Sequence, residues 1–260
     1  MITDIKEITN ILFFLIVGSI TILSYLQARK TLFAPIRTEV FKLQLKIFEE
    51  VLGFFQNKTE IEFIKECDLN LIIRLNTYQM VDSYVDNFFA SEVKIDKEHQ
   101  KEVYKILTRA IVSEKYLRPI TEGPEDSATE PPKKVITNPA ILLSNWQKYE
   151  HPAIAYTEKL ADTQAELKRL SISPILPSNI RRLITEFNDL ITKNLFLVGE
   201  STTEFSQRMP DLAPRTSDLQ KFNPSLAANL YNSKRIAFEP KAEEILTAIN
   251  NYLKIEQLMH

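Results

Sequence analysis

Hydrophobic and polar positions along the chain fall into two regimes. From Ile8 to Leu26 the sequence reads ITNILFFLIVGSITILSYL, with no ionisable side chain except Tyr25. Most of what lies beyond alternates apolar and polar residues at helical spacing. A helix rises about 1.5 Å per residue, so the first run reaches roughly 30 Å, the thickness of a bilayer's hydrocarbon layer. Gly18, Ser19, Thr21 and Ser24 are compatible with a spanning helix, because hydroxyl side chains bond back to helix carbonyls. Tyr25 suits the aqueous boundary. A cleaved signal peptide would begin basic and end in a small-x-small site; instead Asp4 and Glu7 lie in the leader, and Gln-Ala-Arg-Lys follows the run. The run is therefore expected to be a retained anchor rather than a signal peptide or a core helix.

After the anchor, Pro35 is expected to start a separate helix. Ile36, Val40, Leu43, Ile47, Val51 and Phe54 repeat at three and four residues, and Phe41, Leu45, Phe48, Leu52 and Phe55 add a second stripe. A helix so widely apolar needs cover on two sides. The pattern predicts the central helix of a bundle, the alternative being a helix lying on the bilayer. Thr59 and Glu62 have capping-box spacing and open a helix expected to continue to about Glu92. Asp96 reads as the cap of a third helix, with Val103, Leu107, Ala110, Ile111 and Tyr116 inward.

Residues 118–134 change character: four prolines, four acids and no aromatic residue predict a surface loop or linker. Asn138-Pro139 then signals a helix start, and Pro152 is expected to open another helix through Tyr156, Leu160, Leu167 and Leu170. Ser178 starts the cleanest amphipathic helix, running to Phe205. Residues 209–224 read mostly as loop, and two last helices are expected near Pro224 and Pro240. No strand pair with a convincing hairpin turn and no fixed-period repeat is visible. The fold class expected is all-α: a short tail (1–7), a transmembrane helix (8–26), a first helical lobe (35–117), the loop (118–134), and a second lobe (135–260) able to share one core with the first.

Charge orients the anchor. Lys6 precedes it, while Arg29, Lys30, Arg37, Lys42 and Lys46 follow, opposed by Glu39 alone. The positive-inside bias puts the N-terminus outside and the long C-terminal part in the cytoplasm, as in a bacterial inner membrane. The same five basic residues are the candidates for contact with the membrane surface, each worth about 1 kcal/mol at most near an anionic leaflet. A single cysteine, Cys67, fits a reducing compartment. A formal net charge of -2 disfavours nucleic acid as a principal partner. With only 4 glycines, Gly-rich phosphate loops have almost no material.

Candidate chemistry is thin. Asp96 and His99 share a helical face, but they read more simply as a cap and a first-turn residue. Glu150-His151-Pro152 resembles a helix junction, and His260 ends the chain. Cys67 has Glu66 and Asp68 beside it, acids that disfavour a thiolate, so it reads as a buried structural residue. Asp82 and Asp86, one turn apart, are the nearest approach to a paired-carboxylate site, and with Arg74 and Tyr78 they form what reads as a solvated strip. No catalytic, cofactor-binding or metal-ligating residues are expected. The expectation is a single-pass membrane protein whose cytoplasmic helices serve as a scaffold, its partners the bilayer and either another protein or copies of itself. The alternatives are a membrane-perturbing oligomeric effector and an enzyme whose site carries no recognisable motif.

Overall fold

The apolar N-terminal run does not end at Pro35. In the computed structural model, which describes residues 2–93, 107–112 and 138–253, it continues into one helix, α1 (Ile2–Phe55). This corrects the expected division into span and separate helix. Proline lacks an N–H and crowds the carbonyl four residues back, so the carbonyl of Thr31 loses its usual partner, at a cost of about 3 kcal/mol for an interior proline. The flanking turns keep their bonds, and the helix runs through.

The chain divides into two compact units. The first holds α1 up to Phe54 together with residues 173–177. Within it the Gln44 side chain donates to the Ile175 carbonyl at 2.9 Å. Phe48, Val51 and Phe54 are buried, whereas Val40, Phe41, Leu43 and Leu45 are exposed.

The second unit, residues 55–172 and 178–260, is mostly helical. After Asn57, which takes a left-handed backbone (φ 58°), come α2 (Glu60–Glu66) and α3 (Leu69–Phe88). The expected capping box is present: the Glu62 carboxylate accepts the Thr59 N–H at 2.6 Å and its hydroxyl at 2.9 Å. The single long helix expected from Thr59 to Glu92 is broken, because Asp68 adopts φ 50° and separates α2 from α3. Aspartate tolerates this conformation better than most residues, and its carboxylate accepts the Thr157 hydroxyl at 3.1 Å.

The remaining elements are β1 (Leu107–Val112), α4 (Pro139–Trp146), β2 (Ala153–Thr157), α5 (Glu158–Ser171), α6 (Ser178–Ser206), α7 (Met209–Leu212), α8 (Thr216–Leu219), α9 (Ser225–Lys234) and α10 (Glu239–Leu253). Several of these helix starts follow their sequence signals. Asn138 accepts the Ala140 N–H at 3.0 Å, Pro224 precedes α9, and Pro240 lies in the first turn of α10. The expected loop at 209–224 contains the short helices α7 and α8. The central helix is α6 rather than the post-anchor helix: α3, α5, α9, α10 and β2 all pack on it. Its apolar stripe from Ile180 to Phe205 is buried, and such a helix needs neighbours on several sides.

Two segments expected to be helical are strands. β1 and β2 pair antiparallel, Ala110 opposite Ala155 and Val112 opposite Ala153, with an irregularity between Leu107 and Arg109. This corrects the helical reading of Leu107, Ala110 and Ile111, and moves the helix expected from Pro152 to Glu158. Pro152 stands just before β2, where its missing donor breaks no ladder. The rest of the expected third helix, including Asp96 and His99, lies outside the described residues, as do the 118–134 loop and His260.

The core of this unit has two aromatic centres. Phe187 meets Phe55 at 4.9 Å, Phe63 at 5.4 Å and Phe238 at 5.6 Å between ring centroids. Tyr84 meets Trp146 at 5.0 Å, and Trp146 stacks on Tyr149 at 4.5 Å. Edge-to-face and offset pairs of this kind add about 0.5–1.5 kcal/mol each beyond their burial.

Candidate functional site

The part of the chain with an unmet physical demand is α1. Its stretch Leu12–Arg29 is long and apolar enough to cross a membrane by length and composition, and none of it is buried within the chain. Phe14 is 71% and Leu23 64% exposed. Hydroxyls within it are satisfied internally, Ser19 donating to the Leu15 carbonyl and Thr21 to the Val17 carbonyl, each at 2.8 Å. That is the arrangement a hydrocarbon solvent requires.

All five basic candidates lie on α1. Arg29, Lys42 and Lys46 are exposed; Lys42 pairs with Glu39 at 2.8 Å, an exposed pair that contributes little. The side chains of Lys30 and Arg37 are outside the described set. The helix does not gather Arg29, Lys42 and Lys46 into one patch. At about 100° per residue, Arg29 is turned about 140° from Lys42 and about 100° from Lys46. From Arg29 to Lys46 the helix advances about 25 Å, several times the physiological screening length of about 8 Å. Arg29 is the basic residue of described side chain that lies directly beyond the apolar run.

Among the described residues of the second unit, His151 and Cys67 are buried within the fold. His151, read from sequence as part of a helix junction, is instead the middle of a buried polar network. Asn76 of α3 donates to the carbonyls of Ile72 (2.7 Å) and Ala155 (2.8 Å) and accepts the N–H of Ala155 (2.9 Å) and the His151 ring at Nε2 (2.9 Å). Both amide hydrogens are used, so Asn76 Oδ1 can only accept. The proton on His151 therefore sits at Nε2, and Nδ1 accepts from the Tyr149 hydroxyl at 3.2 Å. The His151 backbone N–H goes to the Thr203 hydroxyl of α6 at 2.9 Å. Burial lowers the His151 pKa to about 4, so the ring is neutral near pH 7.

Asn194 of α6 repeats the device, donating to the Ile236 carbonyl and accepting the Ile236 N–H, both at 2.9 Å. Each buried asparagine thus pairs with both backbone groups of one residue outside the helices, Ala155 in β2 and Ile236 between α9 and α10. Neither was legible beforehand, because an asparagine inside a helix reads as part of its polar face. A third tie is Glu60: one carboxylate oxygen accepts the N–H groups of Phe238 (2.7 Å) and Glu239 (3.0 Å) at the start of α10, and the other meets Arg235. It caps a helix from which it is far removed in sequence.

Cys67 is fully buried, as expected, and burial with Glu66 nearby pushes its thiol up to about 12. It is inert as a nucleophile. Asp86 is exposed and Asp82 half-buried on α3, with Arg74 and Tyr78 exposed beside them. No group of three or more His, Cys, Asp or Glu among the described residues is placed to hold a metal ion. A shallow cavity of about 460 Å³ lies between α6 and α10, lined by Asn179, Arg182, Glu243 and Asn251 among others. Arg182 in it is engaged with Glu186 and Asn179.

No protein-family model, curated protein or solved structure matches this chain.

Proposed function

We propose that the chain is a single-pass membrane protein, its N-terminus outside and its helical C-terminal part in the cytoplasm, which serves as a docking scaffold rather than an enzyme. The observation that carries this reading is the wholly exposed apolar stretch of α1, continuous with a helix whose last turns are buried. Exposed to water, so much apolar surface would be costly, at about 25 cal/mol per Å². A bilayer removes that cost. The excess of Lys and Arg behind the stretch supports the orientation. The structural roles of His151 and Cys67 support the scaffold.

The burial of Cys67 shapes the test. A native thiol that no reagent reaches in the folded state reports nothing about sidedness, so topology needs new cysteines in a Cys67→Ala chain. Asn229→Cys on α9 replaces an exposed residue, and Thr3→Cys lies ahead of the span. In intact cells a membrane-impermeant maleimide should label the Thr3→Cys protein and spare the Asn229→Cys protein until lysis. The reverse pattern would invert the topology, and release of the chain by alkaline carbonate would remove the anchor. For docking, the protein mass in the gently solubilised particle, bound detergent subtracted, should exceed that of one 30.1 kDa chain; free monomer alone would count against a scaffold.

A further inference from the structure

We draw no further inference here: the strongest candidate, the exposed apolar surface patch of Val40, Phe41, Leu43 and Leu45 on α1 beyond Arg29, carries none, because nothing in the structure shows what covers it.

Discussion

Acid should loosen the second unit at His151 before it reaches the surface carboxylates. Burial holds this ring neutral and lowers its pKa from 6.5 to about 4. In the unfolded chain it takes up a proton near pH 6.5, so the unfolded state binds more protons than the folded one between these values. Stability must then fall as pH drops through that window, at a limiting slope of about 1.4 kcal/mol per pH unit. Across the 2.5-unit gap the loss is roughly 3 kcal/mol, and below about pH 4 the ring contributes no further change.

Trp146 reports on the transition directly. It is the chain's single tryptophan, and it stacks on Tyr149, whose hydroxyl meets His151. Urea titrations of the detergent-solubilised full chain, followed by tryptophan fluorescence from pH 7 to pH 4.5, should therefore be compared with those of His151→Gln. Glu62 and Glu186 are also held below the usual carboxylate range, Glu62 by the Thr59 N–H and Glu186 by the Lys241 ammonium. Their stabilisation is lost at lower pH and is shared by both proteins, so it cancels in the difference. The wild-type advantage over His151→Gln should shrink by roughly 2–3 kcal/mol across the titration. Parallel stability curves would refute the assignment of a buried, neutral ring.

Asn76→Ala should cost roughly 3–5 kcal/mol, since it orphans both backbone groups of Ala155 and the His151 ring in a buried site. Asn194→Ala should cost less, about 2 kcal/mol, because Ile236 is 44% exposed and its backbone can turn to water; thermal melts that reversed this order would be evidence against the pairing role. Gly199→Ala would place a Cβ 2.9 Å from Ile154 Cδ1 and 3.0 Å from its Cγ1, a loss of about 1–2 kcal/mol. Ile154→Ala in the same chain should recover part of it, and strictly additive effects in the double-mutant cycle would exclude the contact.

Helix starts were legible in the sequence wherever a local signal sets them. Thr59 with Glu62, Asn138 with Pro139, and Pro224 and Pro240 each act within a turn of their own position. The long stripe of α6 was legible for the same reason, since its period belongs to one element. What escaped notice depends on partners far along the chain. The run Ala153–Thr157 is short enough to be helix or strand by composition, and it is held extended by Asn76 from α3 and by β1. Asp68 breaks a helical pattern that continues on either side of it, because its carboxylate is engaged by Thr157 and lies 3.8 Å from the Lys159 ammonium. Pro35 misled in the opposite direction: a residue that ordinarily ends helices lies inside one. At the candidate site the apolar run and the basic residues behind it were plain, but that the helix continues beyond them was not.

That continuity gives α1 a mechanical character. If its first half is embedded, as the proposed function has it, and the rest is free of the bilayer, α1 is a lever whose fulcrum lies near Leu26. From there to Phe48 the arm is about 33 Å, so a tilt change of about 10° in the span sweeps the far end through roughly 6 Å. Single spans change tilt when bilayer thickness changes. The missing hydrogen bond at Pro35 is where such an arm would flex first, so on that reading this residue would set how much of the bilayer's geometry reaches the far end of the helix.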